Sequence, residues 1–287
     1  FQIVAENRDD RHGIVKLKVE VETLRNVDIR VRRIGFVPLP HFNTLVPRDE
    51  RDGVGHVPGF VPDPLMDTLE AGVPPGEAVA FWVTVKPGVE CRPGIHRIVV
   101  HVSPENQPTL RLQARLRVHP VILPARRGLP VVQWFYNDAL MDWYKCQPFD
   151  ERFWAILAPY MANLPEHGQD TILVPAFTPP TDGVKRPTQL LGVKRRGRRF
   201  EFNWRDVKRY VDLARRNGIR NFEWNHFFSQ WGVKHALRIY EGQGLDEQLL
   251  WPADTPATSP IYKAFISQFM PELTRFLARE RLLDRTF

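Results

Sequence analysis

Residues 218–232 read GIRNFEWNHFFSQWG, an apolar stretch interrupted at alternate positions by polar side chains. In an extended chain Ile219, Asn221, Glu223 and Asn225 share one face, while Arg220, Phe222, Trp224, His226 and Phe228 share the other. A fold built on this strand must account for a carboxylate and two amides set opposite an aromatic face. The flanking text supplies the context. WRDVKRYVDLARRNG (204–218) has helical periodicity and stops on Gly218, and SPIYKAFISQFMPELTRFLARERLLDRTF (259–287) opens with the Ser-Pro signature of a helix start.

Working further upstream, DTILVPAF (170–177) reads as a strand and DERFWAILAPYMANLPEHG (150–168) as an amphipathic helix ending at Gly168. LPVVQWFY (129–136) is a compact apolar strand, and NDALMDWYKCQPF (137–149) reads as the loop after it. The second half therefore spells βαβαβα, which predicts parallel strands covered by helices. A doubly wound open sheet and a (β/α)8 barrel both satisfy that pattern. No glycine-rich strand-to-helix turn of the dinucleotide or P-loop type follows the strands, so the barrel is the favoured form. Three βα units make less than half of one.

The first half has a different rhythm. GIVKLKVEVETL (13–24), VDIRVRRIGFV (27–37), AVAFWVTVKP (78–87), GIHRIVVHVS (94–103) and LRLQARLRVHPV (110–121) alternate apolar and polar residues. Turn signals at Pro87-Gly88, Pro93-Gly94 and Pro104-Glu105-Asn106 separate the later strands, and the set predicts an antiparallel β-sandwich. Residues 36–67, rich in Pro and Gly, read as a long irregular excursion. The expected fold is multidomain, β followed by α/β. An Ig-like β-sandwich, cut short at its N-terminus, takes residues 1–122, and residues 123–287 form the first βα units of an incomplete TIM (β/α)8 barrel. HPVILPARRGLP (119–130) is the boundary.

Bulk properties narrow the function. The 40 basic and 33 acidic residues are interleaved, so the net charge of +7 does not by itself make a nucleic-acid binder. KRRGRR (194–199) has a glycine at its centre and alternating flanks, which predicts a solvated hairpin tip before an anionic contact. Cys91 and Cys146 have neither metal-ligand nor disulfide-framework spacing, and the histidines form no ligand cluster, so no metal or organic cofactor is expected. No run of eighteen apolar residues exists, so no membrane-spanning helix is expected. The chain opens on Phe1 rather than Met, and we expect a fragment, which leaves compartment and oligomeric state open.

With Ile219–Phe227 as the third barrel strand, Glu223 and Asn225 point inward near its C-terminal end, where such barrels build their sites, and His226 follows on the rim. If the pleat is reversed, Trp224 and His226 take the inward places. QWFYND (133–138) brings Trp134, Tyr136 and Asp138 to the same end, and VPAFTPP (174–180) brings Phe177 and Thr178. Aromatic faces with carboxylate and amide partners suit a sugar ring, so a carbohydrate is the expected partner. Each residue also has a plainer role: Trp134 and Phe177 as core filling, Glu223 in a structural ion pair with an arginine, His226 as a satisfied structural histidine.

The segments WFYNDALMDWY (134–144), MANLPEHGQDTILVPAFTPPTDGVKRPTQLLGV (161–193), FEWNHFFSQWG (222–232) and YEGQGLDEQLLWPADTPATS (240–259) resemble a bacterial group related to glycoside hydrolase family 123. Characterised members of that family are β-N-acetylgalactosaminidases. The resemblance implies a sandwich before a (β/α)8 barrel and a substrate-assisted retaining mechanism, in which the substrate's acetamido oxygen attacks the anomeric carbon. It also implies an Asp that orients the acetamide and an adjacent Glu that protonates the leaving oxygen, both at the end of the fourth barrel strand. That pair is expected beyond Phe287. Asp246-Glu247 lies in a Gly-rich loop and Asp150-Glu151 at a helix start, so neither is assigned the catalytic role. The resemblance makes Trp134, Tyr136, Asp138, Glu223, Asn225 and His226 the pocket wall. The fragment alone is expected to be inactive. A non-catalytic carbohydrate-binding or surface-assembly protein on the same scaffold is the alternative from another class.

Overall fold

The computed structural model describes residues 1–8, 13–40, 59–123, 129–132, 134, 136–179, 188–228, 232–242 and 247–287. The chain divides into two compact units, Phe1–Pro124 and Ala125–Phe287.

The first unit is built from antiparallel strands: β1 (Gln2–Glu6), β2 (Val15–Val21), β3 (Val27–Leu39), β4 (Gly59–Met66), β5 (Glu70–Val73), β6 (Ala78–Pro87), β7 (Gly94–Pro104) and β8 (Leu110–Val118). One sheet has the order β1-β6-β3-β4 and the other β5-β2-β7-β8. Alternation sends Val79, Phe81 and Val83 of β6, with Ile98, Val100 and Val102 of β7, into one hydrophobic cluster drawn from both sheets. Each such side chain contributes about 1.5–3 kcal/mol when fully buried.

The expectation that residues 36–67 form an irregular excursion is corrected at both ends. β3 runs on to Leu39, and β4 occupies 59–66 and pairs with it. Pro62 and Pro64 disguised this strand, but an edge strand tolerates proline because one side of its backbone makes no ladder bonds. The register shifts between Ile34 and Phe36, where a Cβ on Gly35 would lie 3.0 Å from Pro64 Cγ. Residues 41–58 lie outside the described set.

The second unit contains α1 (Asn137–Tyr144), α2 (Glu151–Glu166), β9 (Thr171–Val174), β10 (Gly192–Arg196), β11 (Arg199–Asn203), α3 (Arg205–Arg216), β12 (Asn221–Trp224), β13 (Tyr240–Glu241), β14 (Gln248–Leu249) and α4 (Pro260–Arg279), then a 3-10 turn, Leu283–Arg285. β9 and β12 pair in parallel from Asn221↔Thr171 to Trp224↔Val174. Val132 bridges Thr171 in parallel on one side, and Thr286 bridges Phe222 in parallel on the other. Four successive chain segments thus lie side by side in chain order and in one direction.

The helices follow their sequence signals. The Asp150 side chain caps α2 by accepting from Phe153 N at 2.6 Å. On α3, Val207, Tyr210, Val211 and Ala214 are buried at positions i, i+3, i+4 and i+7. Ser259 caps α4, Pro260 occupies its first turn, and Phe265, Phe269 and Phe276 line its buried side.

Two local expectations change. The strand expected over 129–136 is reduced, among its described residues, to the single bridge at Val132. The loop expected over 137–149 contains α1, whose buried Asn137, Leu140 and Met141 recur at helical spacing. The basic run is a hairpin, with β10 and β11 paired up to Arg196↔Arg199 and Gly197 at φ +62°. Gln268 of α4 fixes that hairpin by accepting from Phe200 N and donating to Arg198 O.

Candidate functional site

β12 separates its side chains as the alternation requires. Phe222 is fully buried, and Trp224 packs edge-on against Phe276 while its indole nitrogen donates to Thr286 Oγ1 at 3.4 Å. Glu223, on the opposite parity, is half-buried and accepts from Trp134 Nε1 at 2.9 Å. Trp134 also meets His226 edge to face, with ring centroids 5.5 Å apart. Three of the expected residues, from segments about ninety positions apart in the chain, therefore make one cluster.

Asn225 is buried beside this cluster and accepts from Phe177 N at 2.8 Å. The backbone donor identifies that atom as the amide oxygen, so Nδ2 is a donor directed elsewhere. The strand end is fixed further by Tyr262 of α4, whose hydroxyl donates to Phe227 O. Burial pushes the Tyr262 phenol well above its ordinary pKa, so it remains a donor.

The remaining expected residues are placed differently. Phe177 has no exposed surface, because its ring packs against Phe265 and Phe269. It fills the core, and the expectation that its ring lines a pocket wall is corrected. β9 ends at Val174, and the turn closed by Ala176 N→Val174 O carries the chain from it to Phe177. Tyr136 is half-buried at the N-cap position of α1, and Asp138 is buried in that helix's first turn. Thr178 accepts from Thr188 N at 2.8 Å.

Sequence reasoning passed over Asn137. It is 2% exposed, and neither of its amide atoms has a partner among the described residues. Its signal was the polar pair Asn137-Asp138 directly after an apolar run, where α1 begins.

The two acid pairs set aside on sequence grounds also have positions. Asp150 is the cap of α2, and Glu151 makes a bidentate pair with Arg209 at 2.6 Å through each oxygen. Hydrogen bonds from Arg209 hold the Glu151 carboxyl below its ordinary range, against a smaller opposing effect of burial. Asp246 lies outside the described residues. No group of three or more His, Cys, Asp or Glu able to hold a metal occurs among the described residues.

Chemically, the cluster offers hydroxyl recognition. An indole N–H only donates, so the Glu223 oxygen it meets is an acceptor, and the carboxylate's other oxygen makes no hydrogen bond among the described residues. Asn225 supplies a donor just past the end of β12, with Trp134 and His226 as the cluster's aromatic rings.

A family model described as the catalytic domain of glycoside hydrolase 123 matches residues 134–287. Among solved structures, a family 123 glycoside hydrolase from Clostridium perfringens, determined for the details of glycolipid glycan hydrolysis, aligns with 100% of this chain at a TM-score of 0.73 and 12% identity. The aligned region is 52% of that enzyme, so the chain spans about half the relative's length. At this identity the likeness shows the fold. None of the curated protein sequences matches.

Proposed function

The chain belongs to glycoside hydrolase family 123, and from that premise we propose that the whole protein hydrolyses a terminal glycosidic bond of an N-acetylated hexosamine. The proposed mechanism is substrate-assisted and retaining, an exception to the scheme of two carboxylates flanking the bond. The observation that carries this reading is the cluster of Trp134, Glu223 and His226 at the C-terminal end of β12, with Asn225 beside it. Glu223 and Asn225 bind hydroxyls in it, and Trp134 offers aromatic surface to the sugar ring. Glu223 acts in binding rather than as the acid, a role this reading gives to the Asp-Glu pair of the next strand, and Trp134 Nε1 holds its carboxylate in place at 2.9 Å.

In this reading the parallel segments around Val132, β9, β12 and Thr286 are the first strands of a (β/α)8 barrel, residues 123–287 form its N-terminal part, and the β-sandwich domain precedes it. A strand continuing from Thr286-Phe287 would deliver its end beside Glu223. We place the Asp-Glu pair there, outside this sequence, so the 287-residue chain alone is expected to be inactive.

The test is nitrophenol release from a panel of aryl glycosides, including β-N-acetylgalactosaminide and β-N-acetylglucosaminide, by the full-length protein and its Glu223→Gln variant. Turnover confined to acetamido sugars, and reduced about 10–100-fold in the variant, supports the reading. Silence across the panel from folded full-length protein overturns it.

A further inference from the structure

A second recognition site is indicated in the first unit, remote in sequence from the cluster on β12. A cleft of about 490 Å3 opens there, within the size range of small-molecule sites. Lys16 and Lys18 of β2, Arg33 of β3, Glu70 of β5 and Glu105 after β7 supply its charge, over an apolar wall that includes Leu17 and Ala71.

Arg33 is the unusual member. Its neighbours on β3 have carboxylates: Arg30 meets Asp28 at 3.4 Å and Arg32 meets Asp67 at 2.9 Å. Arg33 has none among the described residues. Its Nε is buried without an acceptor, and Nη2 reaches only the Met66 sulfur at 3.3 Å, a weak acceptor. A guanidinium cannot shed its charge, so a half-buried one without an anion is costly. Lys16 likewise has no ion pair among the described residues, whereas Lys18 is engaged by Glu20 at 2.8 Å.

We propose that this cleft binds a carboxylate-bearing sugar residue, with Arg33 and Lys16 holding the carboxylate and Glu70 and Glu105 accepting hydroxyls. The choice of a sugar rests on the glycoside hydrolase reading above. The two glutamates disfavour a bare inorganic anion, while a polyhydroxylated ring with one carboxylate uses both charges and the apolar wall. Gly72 borders the cleft, and a Cβ there would lie 3.0 Å from Ile14 Cγ2, so a larger residue narrows the space.

The experiment is calorimetric titration of the full-length protein with glucuronate, glucose, acetate and sulfate, repeated on Arg33→Gln, Lys16→Gln and Gly72→Val, with circular dichroism to check folding. Glucuronate is expected to bind at least tenfold more tightly than glucose or acetate. Arg33→Gln should lose about tenfold, the factor that corresponds to one charge-assisted hydrogen bond of about 1.4 kcal/mol. If Arg33→Gln fails to fold, Lys16→Gln and Gly72→Val carry the same expectation. Equal binding of sulfate or acetate, no glucuronate binding, or affinity unchanged in the folded variants overturns the proposal. Aryl glycoside turnover is read separately, so an active enzyme that ignores glucuronate sinks only the cleft, and a glucuronate binder without turnover sinks only the glycosidase.

Discussion

Glu223 and Trp134 are joined by one hydrogen bond whose direction is fixed, and that asymmetry separates structural from functional loss. In Glu223→Gln the side-chain carbonyl still accepts the indole N–H, so stability should change by less than about 1 kcal/mol. The charge is gone, however, and kcat/KM of the full-length enzyme should fall about 10–100-fold if the carboxylate binds a substrate hydroxyl. Trp134→Phe keeps a ring but removes the donor, and should cost about 1 kcal/mol in urea denaturation. A Glu223→Gln variant that loses stability and keeps full turnover would make the carboxylate a structural acceptor only. At this scale the sequence was informative where alternation persisted. Phe222, Glu223 and Trp224 take the sides that period two assigned them, whereas Phe177, placed only by its position at the strand end, lies beyond the turn at Pro175 and is core.

The acids at the head of α2 can be tested as elements of architecture. Asp150→Ala should destabilise by about 1 kcal/mol, as the loss of a capping side chain does, while Asp150→Asn keeps an acceptor and most of that stability. Thermal denaturation of both variants checks this. The Glu151–Arg209 pair ties α2 to α3, with the guanidinium also 4.6 Å from the centre of the Trp154 ring. Because the folded-state pKa of Glu151 is lowered, its contribution is present above the unfolded carboxylate value of about 4.3 and is lost as pH falls through the lower folded value. The stability difference between the native sequence and Arg209→Gln should therefore shrink between pH 6 and pH 3, read as urea midpoints. A constant difference would assign the effect of Arg209 to its contact with Trp154. Helices α2 and α4 were legible because capping and apolar period agree, and α3 because its apolar period runs up to the stop at Gly218. The eight-residue α1 was hidden by the polar Asn137 and Asp138 on its buried side, and β4 by its two prolines.

Across the whole molecule, the order of the parallel segments carries a consequence for the isolated chain. Each βα crossover adds the next segment on the same side, so Val132, β9, β12 and Thr286 form a growing sheet rather than one that alternates about its centre. This order was readable from the βαβα text, because the period changes from two to 3.6 and back at each unit. Whether such a sheet closes was not, since closure depends on strand number and stagger that three units do not encode. Phe287 N donates to Phe222 O and Phe287 O accepts from Trp224 N, which occupies the β12 side of this last segment and leaves its other side without a strand among the described residues. An unpaired parallel edge flanked by a core as aromatic as that of α4 invites pairing with another copy. The 287-residue chain should therefore self-associate, its sedimentation coefficient rising with concentration. Monodisperse behaviour at high concentration would mean that this edge is covered rather than open to a second copy.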